Sequence, residues 1–227
     1  MLSKVILPKH NAKSHYFPYI GNKQTFKFSK GITAIIGPNA SGKTTLLNAV
    51  KNIDTEDDVL TSKKYKSIIF SPSEYSYTPK VEFDDIHLRK INIITYNPGK
   101  YSKDADSSAA ANSLSMDTFM SIHVFRQSNS QCAAFYFEDF FNKYKDIMKS
   151  ENCIILVDEP ETSNDIKTIH YLMQAFKNWT MHCSNLQIII ATHHPAILKY
   201  ADQLIEIKPE YKEELINSWK QLLDSFS

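Results

Sequence analysis

The sequence predicts an α/β fold built on a mostly parallel sheet with helices on its faces. Three observations predict it. Short apolar, β-branched runs alternate with stretches of helical period, the pattern of parallel strands joined by right-handed crossovers. One such run, Gly31-Ile32-Thr33-Ala34-Ile35-Ile36, passes through a glycine-bearing loop into Leu46, Leu47 and Val50, which share one helix face. A second run, Cys153-Ile154-Ile155-Leu156-Val157, ends in Asp158-Glu159-Pro160-Glu161. In an open sheet of this kind ligands gather at the C-terminal ends of the strands.

The remaining elements follow in order. Met1 to Pro8 reads as a first strand; it is too short for a signal peptide and is followed by charge. Residues 1–36 read as short strands with turns at Pro8, at 18–21 and at Lys30-Gly31. The polar stretch 54–66 reads as an exposed connection. Ser67-Ile68-Ile69-Phe70 and Ile91-Asn92-Ile93-Ile94-Thr95-Tyr96 read as strands, and Asn97-Pro98-Gly99 breaks the second. From 107 to 125 the period turns helical, with Met116, Phe119, Met120, His123 and Val124 on one face. Phe137, Phe141, Tyr144 and Met148 make the next apolar stripe, the kind that packs a core. After the strand at 153–157, Ile166, Ile169, Leu172, Met173 and Phe176 mark a helix. Residues 186–191 are a third strand and 203–207 a fourth. Leu215, Trp219, Leu222, Leu223 and Phe226 mark a closing amphipathic helix.

A chain of 227 residues with 42% apolar content sustains a sizeable core, and we expect a single domain over 1–227. The net charge of +1 supplies no global field for nucleic acid or anionic lipid, so nucleic-acid binding is unsupported by charge. The cluster Lys63-Lys64-Tyr65-Lys66 reads as a solvated loop. Three cysteines without metal-ligand spacing suit a reducing, cytoplasmic compartment; Cys153 and Cys183 read as small buried hydrophobes. No apolar run approaches the roughly 20 residues of a membrane span.

Gly37-Pro38-Asn39-Ala40-Ser41-Gly42-Lys43-Thr44-Thr45 fits G-x-x-x-x-G-K-[ST] at every fixed position, between a strand and a helix. Backbone N–H groups of such a loop and of the helix start cradle phosphates. Lys43 is expected to reach the β- and γ-phosphates, and the Thr44 hydroxyl to hold Mg²⁺. Asp158, at the end of its strand, is expected to hold the metal's hydration shell. Glu159 is then placed to polarise water for attack on the γ-phosphate. A third strand ends in Ala191-Thr192-His193-His194-Pro195; His193 is assigned to the γ-phosphate, and His194 is read as filling the helix start or lying on the surface. The implied ligands are ATP or ADP with Mg²⁺.

Together these elements resemble the ABC-class ATPases, in which a glycine-rich loop, a strand ending in Asp-Glu and a switch histidine follow in this order. Glu159-Pro160-Glu161 with Ala191-Thr192-His193 is most similar to the compact stand-alone bacterial predicted-ATPase branch, akin to the heads of the OLD, RecF and SMC proteins. The resemblance covers nearly the whole chain. It implies an ABC-type P-loop fold with an N-terminal antiparallel β part and a helical insertion at roughly 100–150. It implies a Mg²⁺- and water-contacting loop near Tyr96-Asn97-Pro98, where Asn97 substitutes for the usual glutamine. It puts a dimer-contacting loop at Thr162-Ser163-Asn164-Asp165; Asp165 also suits a helix cap. It expects an adenine-stacking aromatic, for which Tyr16, Phe17 and Tyr19 are available. The signature motif departs most. Its best match is Ser128-Asn129-Ser130-Gln131, with Ser130 where glycine is usual; none of the five glycines follows Gly99. Ser128 is retained as the contact to a second subunit's ATP.

The resemblance implies an ATP-hydrolysing switch that dimerises around ATP or acts with an effector protein. A transporter's nucleotide-binding subunit is the alternative, opposed by the altered signature, the missing glutamine and Glu161 where transporters usually carry threonine. A hydrolysis-poor ATP-binding switch, motivated by Ser130, is another. A small-molecule kinase fits less well, because an Asp-Glu pair with a switch histidine suits attack by water.

Overall fold

The computed structural model describes residues 1–6, 25–51, 80–83, 91–96, 129–162 and 164–225. Among them a parallel sheet of five strands has the order β5-β6-β7-β3-β8. Its members are β3 (Gly31–Ile36), β5 (Ile91–Tyr96), β6 (Asn152–Asp158), β7 (Leu186–Thr192) and β8 (Gln203–Glu206). A three-stranded antiparallel sheet sets β1 (Leu2–Ile6) between β2 (Thr25–Lys27) and β4 (Lys80–Phe83). The helices are α1 (Lys43–Lys51), α2 (Asn129–Ser150), α3 (Ile166–His182), α4 (Pro195–Leu198) and α5 (Tyr211–Asp224). The expected α/β architecture and the antiparallel N-terminal part are both present.

The sheet is covered on both faces, which is why its strands read as unbroken apolar runs rather than alternating ones. Every residue of β7 is buried. Period-two geometry then splits each strand between two cores. Ile32, Ala34, Ile36, Ile155, Val157, Ile188 and Ile190 face one core, which α2, α3, α4 and α5 complete. Ile35, Ile154, Leu156, Ile189 and Ala191 face the other, filled by Leu46, Leu47 and Val50 of α1 and by Leu2, Val5 and Phe26. On the first face Tyr96 meets Phe137, Phe140 and Phe176 edge-on, with centroids 5.8, 5.0 and 6.2 Å away. Trp179 stacks on Phe137 and Phe141 at 5.0 and 4.7 Å. Contacts of this geometry add roughly 0.5–1.5 kcal/mol each beyond burial.

Two glutamines join the two sheets: Gln203 of β8 donates from Nε2 to Lys27 O of β2 at 3.0 Å, and Gln187 reaches β1. Gln187 is fully buried in β7. Its Oε1 accepts from Leu2 N at 3.1 Å, and its Nε2 donates to Leu2 O at 3.1 Å and Ser29 O at 2.7 Å. A buried amide with its partners made is neutral to favourable; one left unpaired costs about 1–3 kcal/mol.

Some apolar positions lie differently from the helical stripes. Ile166 is 50% exposed because it opens α3, one turn ahead of the buried Ile169. Leu222 and Leu223 are exposed at the far end of α5, where Tyr211 and Leu215 carry the burial. Asp165 caps α3, its carboxylate accepting from Thr168 N at 2.7 Å. Cys153 is buried in β6, and desolvation pushes its thiol up to about 12, that of an inert hydrophobe. No described helix is long and apolar enough to cross a membrane. The expected strand at 67–70, the connection at 54–66 with its lysine cluster, the helical stretch at 107–125 and Phe226 lie outside what the structure describes; Cys132 falls within α2.

The start of β3 depends on one glycine. Gly31 has φ +82°, and a Cβ there would come within 2.4 Å of Asp202 Oδ2. That oxygen accepts from Ile32 N at 2.9 Å, and the other accepts from Lys177. Gly31→Ala should therefore lose about 1–3 kcal/mol, combining a left-handed backbone with a displaced carboxylate. In a chain of this size that lowers Tm by several degrees, on the order of 2–4 °C per kcal/mol. A thermal melt no lower than wild type would contradict this account of the β3 entry.

Candidate functional site

Strand register brings three sequence segments to one edge. Ile36, the last residue of β3, pairs with Thr192 of β7. Ala191 pairs with Asp158, the last residue of β6. Glu159 N continues the ladder by donating to Ala191 O at 2.9 Å. The loop after Ile36, the acidic turn after Val157 and the histidines after Thr192 therefore sit side by side.

The loop 37–42 turns the chain from β3 into α1. Ala40 and Gly42 have φ +58° and +102°. Ser41 N donates to Pro38 O at 3.2 Å, and Leu46 N to Gly42 O at 3.0 Å. Gly37 packs so closely that a Cβ would lie 2.5 Å from Ser41 Oγ and 3.2 Å from Ile207. Ser41 Oγ itself is buried without a hydrogen-bond partner. Lys43 opens α1 and folds back over the loop, its Nζ donating to Gly37 O and Pro38 O, each at 3.0 Å. Those carbonyl oxygens occupy the part of anionic oxygens around an ammonium. Burial is the main force on Lys43 and lowers its pKa; Glu159, Glu161 and Asp158 oppose it. A buried cation ringed by backbone oxygens suits a polyphosphate. Thr45, Pro38 and Asn39 lie in or beside the same loop, and their side chains make no hydrogen bond among those described.

Thr44 Oγ1 donates to Asp158 Oδ1 at 3.1 Å, joining α1 to β6. Desolvation raises the Asp158 pKa, with the Thr44 hydrogen bond and Lys43 pulling the other way. A hydroxyl beside a carboxylate that burial deprives of water is the hard-oxygen donor set that suits Mg²⁺. A cavity of about 210 Å³ lies beside the pair, lined among others by Thr95, Leu156 and Asn48. Thr95 belongs to the strand whose continuation holds Asn97, a residue outside the described set, as are Ser128, Tyr16, Phe17 and Tyr19. Asn129, Ser130 and Gln131 form the first turn of α2, so the signature segment leads into a helix.

Glu159 stands at φ +45°, a left-handed conformation in a residue that is not glycine. Such strain, on the order of 1–3 kcal/mol, persists only where surrounding contacts hold it. Its Oε1 lies 3.9 Å from His193 Nδ1. Glu161 is more deeply placed, its side chain 6% exposed. Its Oε1 accepts from Thr192 Oγ1 and from His193 N, both at 2.8 Å. His193 Nδ1 lies 3.0 Å from the same oxygen but off the line of a hydrogen bond. His194 plays the helix-start part: its Nδ1 accepts from Ala196 N at 3.2 Å and its ring meets Trp219 edge-on. Burial above all lowers the His194 pKa, which keeps the capping lone pair free. In the sequence Glu161 serves only to tell families apart. Its link to β7 joins residues 31 and 32 positions apart, which no local pattern signals.

The sequence over residues 10–224 matches the family model described as AAA domain, AAA_23. No curated protein matches the chain in sequence. Among solved structures, one similar chain is CbiO1 from Clostridium perfringens, described as part of the ABC transporter complex cbiONQ. It has a TM-score of 0.50 and 16% identity, covering 91% of this chain and 84% of that one. Another is the SMC head domain from Thermotoga maritima, with a TM-score of 0.51 and 18% identity, covering 90% and 94%. At such identities the likeness speaks for the fold, which is that of the ABC-class P-loop ATPases. With a match spanning residues 10–224, the chain belongs to the AAA domain family AAA_23.

Proposed function

We propose that this chain binds MgATP at the ends of β3, β6 and β7 and hydrolyses it as a conformational switch. The observation that carries the reading is the Thr44–Asp158 hydrogen bond at 3.1 Å, with Lys43 one residue away on the same helix. It brings the phosphate loop and the acidic turn, 114 positions apart, into one site.

In this reading the loop 37–45 holds the phosphates through backbone N–H groups, and Lys43 exchanges its two carbonyl partners for β- and γ-oxygens. Mg²⁺, when bound, supplies positive charge that offsets the charge developing on the phosphates. Thr44 and Asp158 would hold it. Glu159 takes the proton from the attacking water. Its backbone is left-handed, and His193 Nδ1 stands 3.9 Å from its Oε1. His193 contacts the γ-phosphate; His194 caps α4 and takes no part. The chain works in one domain, in the cytoplasm. Ser128 contacts the ATP of a second copy, so that ATP joins two subunits and hydrolysis parts them, or passes the change to an effector protein. A hydrolysis-poor switch is the second reading, favoured by Ser130 in the first turn of α2 where glycine is usual.

Binding should depend on Lys43. Lys43→Ala removes the site's charge-assisted donor and should cost about 3 kcal/mol, on the order of 10²-fold in Kd for MgATP. Calorimetry showing unchanged affinity would defeat the phosphate-loop assignment.

Hydrolysis should depend on Glu159 more than binding does. Glu159→Gln should keep affinity and lose roughly 10²-fold or more in single-turnover rate. His194→Ala should keep the rate and lose only about 1 kcal/mol of stability, the worth of a cap. Equal rates for Glu159→Gln and wild type would remove Glu159 as the base. A wild-type rate no faster than ATP hydrolysis in buffer alone, with ATP bound, is the outcome the hydrolysis-poor reading expects.

Association is tested by sedimentation of Glu159→Gln with and without MgATP. A ligand that bridges the dimer shifts the equilibrium by mass action. ATP should produce a weak dimer, Ser128→Arg should abolish it without affecting monomer affinity, and Ser130→Gly should strengthen it. A monomer under all conditions, with ATP bound, would exclude the homodimer and leave the effector protein.

A further inference from the structure

We infer that Glu161 is the positioning residue of His193: its buried carboxylate sets the end of β7 and the ring nitrogen that His193 offers to the nucleotide. The inference rests on the ATP-hydrolysing reading of the site and adds to it a residue that does not touch ATP.

A carboxylate that is 94% buried by its side chain needs compensating donors, because an unpaired buried charge is among the costliest groups in a fold. Those donors come from two consecutive residues. Thr192 Oγ1 and His193 N both donate to Oε1 at 2.8 Å, while Oε2 is buried without a hydrogen-bond partner. The interaction is thus concentrated on one oxygen and on one turn, the exit from β7. It spreads one residue further, since His194 N donates to Thr192 Oγ1 at 3.0 Å. Three successive residues therefore take their placement from Glu161.

The same oxygen lies 3.0 Å from His193 Nδ1. An anionic oxygen at that distance repels a ring lone pair and favours a proton on Nδ1. Nε2 is then the nitrogen available to the nucleotide, as acceptor in the neutral ring or donor in the cation. Nothing else described holds the ring this way. Glu159 is 3.9 Å from Nδ1, beyond a hydrogen bond. Glu161 lies two residues past Glu159 on a turn closed by Thr162 N donating to Glu159 O at 2.9 Å. One short segment thus carries the proposed base and the group that places the histidine opposite it.

A double-mutant cycle tests this, read by single-turnover hydrolysis with MgATP affinity measured by calorimetry on each variant. His193→Ala and Glu161→Ala should each slow turnover roughly tenfold or more with little change in ATP affinity. The double variant should be no slower than His193→Ala alone, because residues acting through one contact are non-additive. Glu161→Gln keeps an acceptor for Thr192 and His193 N and should recover most of the rate. A thermal melt checks that each variant is folded; if Glu161→Ala is not, Glu161→Asp, which keeps the charge but draws the carboxylate back from Thr192 and His193, takes its place in the cycle. An equal slowing by the Glu161 substitution with and without His193 would overturn the inference and leave the ATPase reading standing. Glu161→Gln as slow as Glu159→Gln would make Glu161 a base and overturn it too. His193→Ala turning over like wild type would overturn both the histidine's role and the inference. A wild-type protein that binds ATP without hydrolysing it would overturn the ATPase reading itself.

Discussion

Parallel pairing of β6, β7 and β3 is the constraint on which the rest depends. Asp158 pairs with Ala191, and Thr192 with Ile36, so the three strands end level with one another. A slip of one residue would turn every side chain of a strand to the opposite core. Seven alternating contacts on one face and five on the other resist that slip, since each large apolar side chain buried on its proper side contributes about 1.5–3 kcal/mol. The register is thus fixed by the hydrophobic effect, and the loop, acidic turn and histidines inherit their spacing from it.

Electrostatics then divides the labour at that edge. Asp158, Glu159 and Glu161 lie within four residues, and like charges so close are unfavourable without cations. Each has a different answer. Asp158 is desolvated and bonded to Thr44; Glu161 is buried against Thr192 and His193; Glu159 remains the least engaged of the three. Lys43 is near all of them, yet its hydrogen bonds go to the loop carbonyls. An acidic turn facing a phosphate loop repels a polyphosphate unless a divalent cation comes with it. In the proposed reading, that is why this edge takes MgATP rather than ATP alone.

The parts of the fold that local chemistry writes were legible in the sequence. The strands at 31–36, 153–157 and 186–191 are continuous apolar runs because both faces of the sheet are covered, and such runs announce themselves. Asp165 and His194 could be placed at helix starts because capping is a local event. Long-range pairings were not legible. Gln187 joins the two sheets across 185 positions, and Asp202 holds the β3 entry across 170. Nothing in the neighbourhood of either residue marks it. Exposure failed at helix ends: Ile166, Leu222 and Leu223 keep the helical period, but the core does not extend that far. At the site, Lys43, Thr44 and Asp158 followed from motif spacing, whereas the Glu161 contact to β7 required knowing which strands are neighbours.

The central claim is that three strand ends form one nucleotide site. Amide hydrogen exchange of the Glu159→Gln variant, with and without MgATP, tests it most directly, because a bound ligand slows exchange where it stabilises local structure. The account predicts added protection in three separated segments at once: 37–45, 158–162 and 192–196. Tight MgATP binding that protects the loop at 37–45 while leaving both other segments unchanged would contradict it.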